Sequence, residues 1–333
     1  MTEQLENIQR RRMHGLYLSR ECSDLEELSR ELMGLHCWFH RNVAFSALIR
    51  GAEIAGWKQA LTKTWLYRGT LHGVAEDDLP QLLALHVNNS YLAQWWGADR
   101  LDDLADEVLR LMEDGVFSRA EMREIFADRL SEEDIRMVFS PWGGIFVYLA
   151  RLGKVAFRDM TSRDFDLIDA APTRSREEVL PELLRRYFAA YGPATLADAA
   201  WFLGFWGPEK KLLKDMDLSE FSRFDCGSST YYYVDDGADL GEIPELTLLS
   251  GFDPVIVSYV DRSAVLSPEY RSRAVMKSGI CLPTVAVNGR VAGLWNIKNG
   301  APIVEFFDTQ EPRIVRETKE RVDFIRFRTA GRI

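Results

Sequence analysis

Apolar residues recur at three- and four-residue spacing over residues 5–16, 42–49 and 55–62, the period that places them on one face of an α-helix. Between the first two, Ser23, Asp24, Leu25 and Glu26 read as a capping-box-like start of a helix that runs to residue 33. Residues 65–74 then concentrate aromatic and β-branched side chains around two glycines, which predicts a strand or hairpin. Helices followed by a hairpin is the order of a winged helix. The order returns twice. Helical patterns over 79–95, 101–112, 119–127 and 143–152 lead to a strand at 153–157, and helices over 176–191, 196–204 and 208–214 lead to a β-rich run at 228–234 with three consecutive tyrosines. No short motif repeats along the chain, so the repetition is one of architecture.

From about residue 243 the period changes to short β-type segments at 246–249, 255–260, 284–287, 290–295, 302–307 and 322–327. Asn288-Gly289 between two of them is a type I′ hairpin signal. Such strands predict an antiparallel sheet closing into a small barrel. The expected fold is therefore α+β: three tandem winged-helix units over 1–75, 76–160 and 161–236, followed by a C-terminal antiparallel β-barrel over 237–333.

A chain of 333 residues exceeds the roughly 250–300 residues at which single cores stop growing, so several domains are expected. No stretch reaches the roughly 18–20 apolar residues of a membrane helix, and the N-terminal residues before Arg10, Arg11 and Arg12 are polar where a signal peptide is apolar. Cys22, Cys37, Cys226 and Cys281 form no CxxC pair and read as reduced thiols, consistent with a cytoplasmic protein. The net charge of −10 by itself opposes nucleic-acid binding, but its distribution is uneven: residues 1–68 carry +2, 69–136 carry −10, 137–260 carry −7 and 261–333 carry +5. A protein holding DNA with its two ends and a featureless acidic protein both fit those values.

Five segments occur in order: Leu-Met-Gly-Leu-His-Cys-Trp at 32–38, Leu-Tyr-Arg-Gly-Thr-Leu-His-Gly-Val at 66–74, Ala-Tyr-Gly-Pro-Ala-Thr-Leu-Ala-Asp at 190–198, Ser-Gly-Phe-Asp-Pro at 250–254, and Pro-Thr-Val-Ala-Val-Asn-Gly-Arg-Val-Ala-Gly-Leu-Trp at 283–295. Together they resemble the AlkZ/YcaQ family of winged-helix DNA glycosylases. The resemblance implies three winged-helix units and a barrel around a DNA-binding cleft. It also implies cleavage of the N-glycosidic bond of alkylated purines, including crosslinked ones, in base-excision repair or self-resistance to a toxin. The partner it implies is double-stranded DNA carrying alkylated bases or crosslinks, and neither a cofactor nor a membrane partner is implied; the residues do not fix the oligomeric state, and a monomer is the expectation. A base alkylated at N7 is already cationic and leaves without a general acid, so the enzyme's task is to position a water and stabilise an oxocarbenium-like sugar.

Where the family carries Gln-aliphatic-Gln or Gln-aliphatic-Asp, this chain has His36-Cys37-Trp38. His36 stands at the first polar position and is able to accept a proton from a water or orient it. Trp38 stands at the second, where indole offers only a donor, leaving it stacking on a base or flanking the sugar cation. His40 is expected one helical turn after His36. The candidate catalytic set is His36, Trp38 and His40. Arg41, Arg50, Arg68, Thr70 and His72 are the candidate DNA contacts, the last three alternating along one strand face. The opposing readings are ordinary ones: solvated helix-face charge for Arg41 and Arg50, a structural wing for residues 68–72, and a surface or core role for His14 and His86. No metal site is expected, because His36 and His40 lack a third ligand. Trp95, Trp96, Trp201 and Trp206 are expected to pack rather than stack on bases. A non-catalytic winged-helix DNA-binding protein remains the alternative to a glycosylase.

Overall fold

The structure is a computed structural model that describes residues 3–85, 97–142 and 144–331. His86, Trp95 and Trp96 lie outside those residues. The fold is a mixture of helices and antiparallel sheets, and the chain divides into two compact units: residues 1–55 with 184–333, and residues 56–183. These units do not follow the four consecutive segments expected from the sequence. Among the described residues no helix is long and apolar enough to cross a membrane.

In the unit of residues 56–183, strand Thr62–Trp65 pairs antiparallel with Leu71–Val74 on one side and, at Lys63 opposite Phe157, with Val155–Phe157 on the other; the latter pairs with Phe165–Leu167. The two expected wings thus contribute to a single sheet. Local alternation marks each strand but carries no information on which hairpins pair. Helix Ala98–Glu113 buries Leu101, Leu104, Ala105, Val108 and Met112, the one-face spacing of an α-helix, in a core with Trp65, Phe126, Phe139, Phe146 and Phe165. The next helix, Arg119–Ile125, starts at a capping box in which the Ser118 hydroxyl accepts from the Glu121 N–H and the Glu121 carboxylate accepts from the Ser118 N–H.

The other unit contains helices Glu3–Gly15, Leu25–Glu31, Arg41–Ile49 and Leu196–Leu203, and the hairpin Ser222–Cys226 with Ser229–Tyr233. Its largest sheet has four antiparallel strands in the order Ala301–Phe306, Arg290–Lys298, Thr284–Val287, Leu246–Leu249. Asn288 and Gly289 both have positive φ, 48° and 74°, as the expected I′ turn requires.

Among the described residues no closed barrel is found: this sheet is open, with Leu246–Leu249 and Ala301–Phe306 at its edges. Two of the six expected strands are helical. Residues 254–257 follow Asp253, whose carboxylate accepts from the Val255 N–H, and place Pro254 in the first turn, so the Asp-Pro pair starts a helix despite the β-branched run after it. Residues 322–327 belong to helix Pro312–Thr329, which buries Ile314, Thr318, Val322, Ile325 and Thr329 and leaves Phe324 and Phe327 exposed. That is a helical period rather than a strand's. Ion pairs of Glu317 with Arg313 and Arg321 support it on the outer face. Ile314, Val322 and Ile325 pack with Phe45, Leu248, Val285 and Trp295, and the Trp295 indole N–H donates to the Leu249 carbonyl at 2.9 Å. Phe45 lies on helix Arg41–Ile49, with its ring centroid 5.2 Å from that of Trp295. The sheet thereby fixes the helix that follows the His36 segment.

Two outcomes follow from the unit of residues 56–183. Gly153 has φ +70°, and a Cβ there would lie 2.3 Å from the Ala170 carbonyl oxygen, so Gly153→Ala should lower stability by at least the ~1–3 kcal/mol of a non-glycine left-handed residue, read by calorimetry. His72 is buried opposite Thr64, and burial, with the nearby Arg68 charge, lowers its pKa to about 3. The unfolded chain gains a proton near the ordinary value of 6.5 that the folded chain refuses until about 3. Stability is therefore unaffected above pH 6.5 and declines as the pH falls through that window, by about 1.4 kcal/mol per unit. Urea unfolding at pH 7 and pH 4.5 should show a loss about 2–3 kcal/mol smaller in His72→Gln than in the parent.

Candidate functional site

Helix Leu25–Glu31, capped by the Asp24 carboxylate on the Glu27 N–H, ends where Met33 and Gly34 take positive φ and the Gly34 N–H donates to the Ser29 carbonyl. The chain leaves this stop extended at Leu35–His36 and turns into helix Arg41–Ile49, with the Asn42 N–H donating to the Phe39 carbonyl. Between the two helices burial alternates: Cys37 is buried, His36 and Trp38 are half-buried, and Phe39 and His40 are exposed. His36 and His40 therefore do not share a helical face. The four-residue spacing predicted one, but the helix begins only at Arg41.

The His36 ring stacks face to face on Phe252, with centroids 4.3 Å apart and planes 5° apart. The Trp38 backbone N–H donates to His36 Nδ1 at 3.4 Å. A nitrogen that accepts this bond carries no proton, so the neutral ring holds its hydrogen on Nε2.

Phe252 belongs to the Ser250–Pro254 turn, which is anchored by the buried carboxylate of Asp253. That carboxylate accepts from Arg50 Nη1 and Nη2 at 3.2 and 2.9 Å, from the Ser250 N–H and hydroxyl, and from the Val255 N–H. Arg50 also donates from Nε to the Leu16 carbonyl at 2.8 Å and from Nη1 to the Ser46 hydroxyl at 2.9 Å. Neither member of the pair has exposed surface. Arg50 is thus neither the expected phosphate contact nor a solvated helix-face charge. Its guanidinium is committed to fixing the turn that carries Phe252. Asn42, which no motif marked, is also buried here: its amide occupies the space a Cβ on Gly251 would need, and its Nδ2 has no hydrogen-bond partner. The only local signal for it was an amide at the start of an otherwise apolar helix.

Arg68, Thr70 and His72 lie in the unit of residues 56–183. Strand pairing resumes only at Leu71, so Arg68 and Thr70 belong to the turn and do not alternate along a strand with His72. Arg68 has φ +53° at the tip and is half-buried. Thr70 closes the turn, its hydroxyl donating to the Tyr67 carbonyl at 3.0 Å. His72, at 4% exposure, lies edge-on to Tyr67 with Nδ1 3.1 Å from the Thr70 carbonyl. It is a core histidine, and its expected DNA contact is unavailable in this conformation. Arg41, in the other unit, is half-buried in the first turn of its helix. Trp201 packs against Trp206 and donates to the Val257 carbonyl. Among the described residues no three His, Cys, Asp or Glu side chains gather as metal ligands.

The overall arrangement has a known counterpart. The structure of a DNA glycosylase AlkZ from Streptomyces sahachiroi superposes with a TM-score of 0.78 over 98% of each chain at 24% identity. In sequence, a curated interstrand DNA cross-link repair glycosylase from the same organism is 27% identical over 302 residues, covering 82% of this chain and 81% of the relative. The family model described as DNA glycosylase AlkZ-like matches residues 57–304, most of the chain. This chain belongs to the AlkZ-like DNA glycosylase family.

Proposed function

We propose that this protein excises N7-alkylated purines from duplex DNA and unhooks interstrand crosslinks made through such bases, either in base-excision repair or as self-resistance to an alkylating toxin. The observation that carries the reading is His36, held in a defined orientation at the position where the family pattern has its first polar residue, in a chain similar to an interstrand cross-link repair glycosylase. In the reaction the C1′–N9 bond breaks and its electron pair neutralises the cationic base, which leaves without protonation. A water oxygen bonds to C1′ of the sugar cation, and its surplus proton passes to solvent. With its hydrogen on Nε2, His36 serves as a donor that orients the water rather than as its base. Trp38 supplies an apolar face that flanks the base or the sugar. Arg41 and Arg68 hold backbone phosphates, Thr70 shapes the turn that carries Arg68, and exposed His40 is assigned no step. The helix-then-hairpin segments act as winged-helix DNA-binding units with little sequence preference, since phosphate contacts carry no sequence information.

Release of free base from a duplex containing N7-methylguanine tests this reading. His36→Ala should slow release by about 10²-fold or more, the order expected when a reacting group loses its orientation, while DNA affinity holds. Arg68→Ala should weaken binding and reduce the slope of log affinity against log salt by about 1. Trp38, in place of a polar residue, is the feature that favours the rival reading of a non-catalytic DNA-binding protein. Tight duplex binding with no base release from parent protein on any alkylated duplex would select that rival.

A further inference from the structure

We propose that Phe252 is a positioning residue for His36, setting the plane of the imidazole and, with the Trp38 N–H, its tautomer. The inference rests on the reading that His36 orients the attacking water. Among the contacts of the ring, two set its geometry. The stack on Phe252, at 4.3 Å and 5°, fixes its plane, and the bond from the Trp38 N–H to Nδ1 fixes rotation within that plane. Together they leave one orientation and one protonated nitrogen, Nε2.

Phe252 is not in a relaxed conformation. Its φ of +57° lies in the left-handed region, where a bulky residue is an outlier. Such a conformation persists where the surroundings over-determine it, and these sites cluster at functional positions. The surroundings do so here. The Phe252 N–H donates to the Cys281 carbonyl at 3.2 Å. The adjoining Asp253 carboxylate takes five hydrogen bonds, two of them from the fully buried Arg50. On the other side Gly251 admits the Asn42 amide, within 3.2 Å of where a Cβ would stand. Phe252 itself is half-buried, so a strained turn with a buried ion pair behind it presents a partly exposed ring to His36. If Phe252 only filled space, leucine would fill it as well without π-stacking.

The test uses the full-length protein and three variants, Phe252→Leu, which keeps apolar bulk and removes the ring, Phe252→Tyr, which keeps the ring, and Phe252→Met as a second ring-free variant should Phe252→Leu fail to fold. Long-range nitrogen–proton NMR spectra, with the His36 signal assigned by its absence in His36→Gln, should show a single Nε2–H tautomer in parent and Phe252→Tyr. A tautomer mixture is expected in the ring-free variant. Single-turnover excision from the N7-methylguanine duplex should fall about 10- to 10²-fold in the ring-free variant at unchanged duplex affinity and recover in Phe252→Tyr. A folded ring-free variant that keeps the parent spectrum, or that excises as fast as a parent that does release base, overturns the proposal. If the spectra change as expected but the parent itself releases no base, the excision reading fails while the hold of Phe252 on His36 stands.

Discussion

The Arg50–Asp253 pair joins three parts of the chain that are far apart in sequence: the segment after the first helix through Leu16, the helix Arg41–Ile49 through Ser46, and the turn 250–254 through the carboxylate. Two charges without exposed surface are costly to remove from water, and attraction between them does not by itself offset that cost. Here the additional bonds do much of the compensating, because the carboxylate is met by two arginine nitrogens, two backbone N–H groups and a hydroxyl. Removing one partner leaves the other charged, buried and short of bonds, so the pair behaves as a lock rather than as an additive contribution. Its geometric product is the placement of Phe252 over His36.

The aromatic residues divide by the same logic. Trp295, Phe45, Tyr187 and Tyr191 are buried and packed against one another or the sheet, which is the ordinary use of such area. Phe252 is used differently, stacked on His36, with Phe39, 41% exposed, 6.2 Å away between ring centroids.

What the sequence made legible was local. The helix starts at Asp24, Ser118 and Thr195 carry side-chain caps in the structure, and the Asn288-Gly289 turn has the dihedrals its composition demands. Pairing between distant segments was not legible. The strand at 155–157 lies beside Thr62–Trp65, residues 322–327 have β-forming composition but a helical burial pattern, and Arg50 looked like a surface charge until its partner 203 positions away was placed against it. The site divides in the same way. The motif at 32–38 located His36, whereas the aromatic contact that orients its ring comes from Phe252 and depends on a turn whose backbone no spacing rule foresees. His72 shows the converse: a polar residue in a family motif whose position in the hairpin register puts it in the core.

The unit of residues 56–183 interrupts the other one, whose two portions are 1–55 and 184–333. During synthesis the order of completion is therefore reversed with respect to the order of the sequence. The inserted unit has all its strands once residue 183 has emerged, while the segment bearing His36, made far earlier, waits for Asp253 and the sheet beyond it. At about 5–20 residues per second, the histidine stays without its aromatic partner for roughly ten seconds or more of chain growth. Over that interval Arg50 remains hydrated on an unfinished surface. A truncated product that ends before the Ser250–Pro254 turn therefore carries the histidine without the ring that stacks on it.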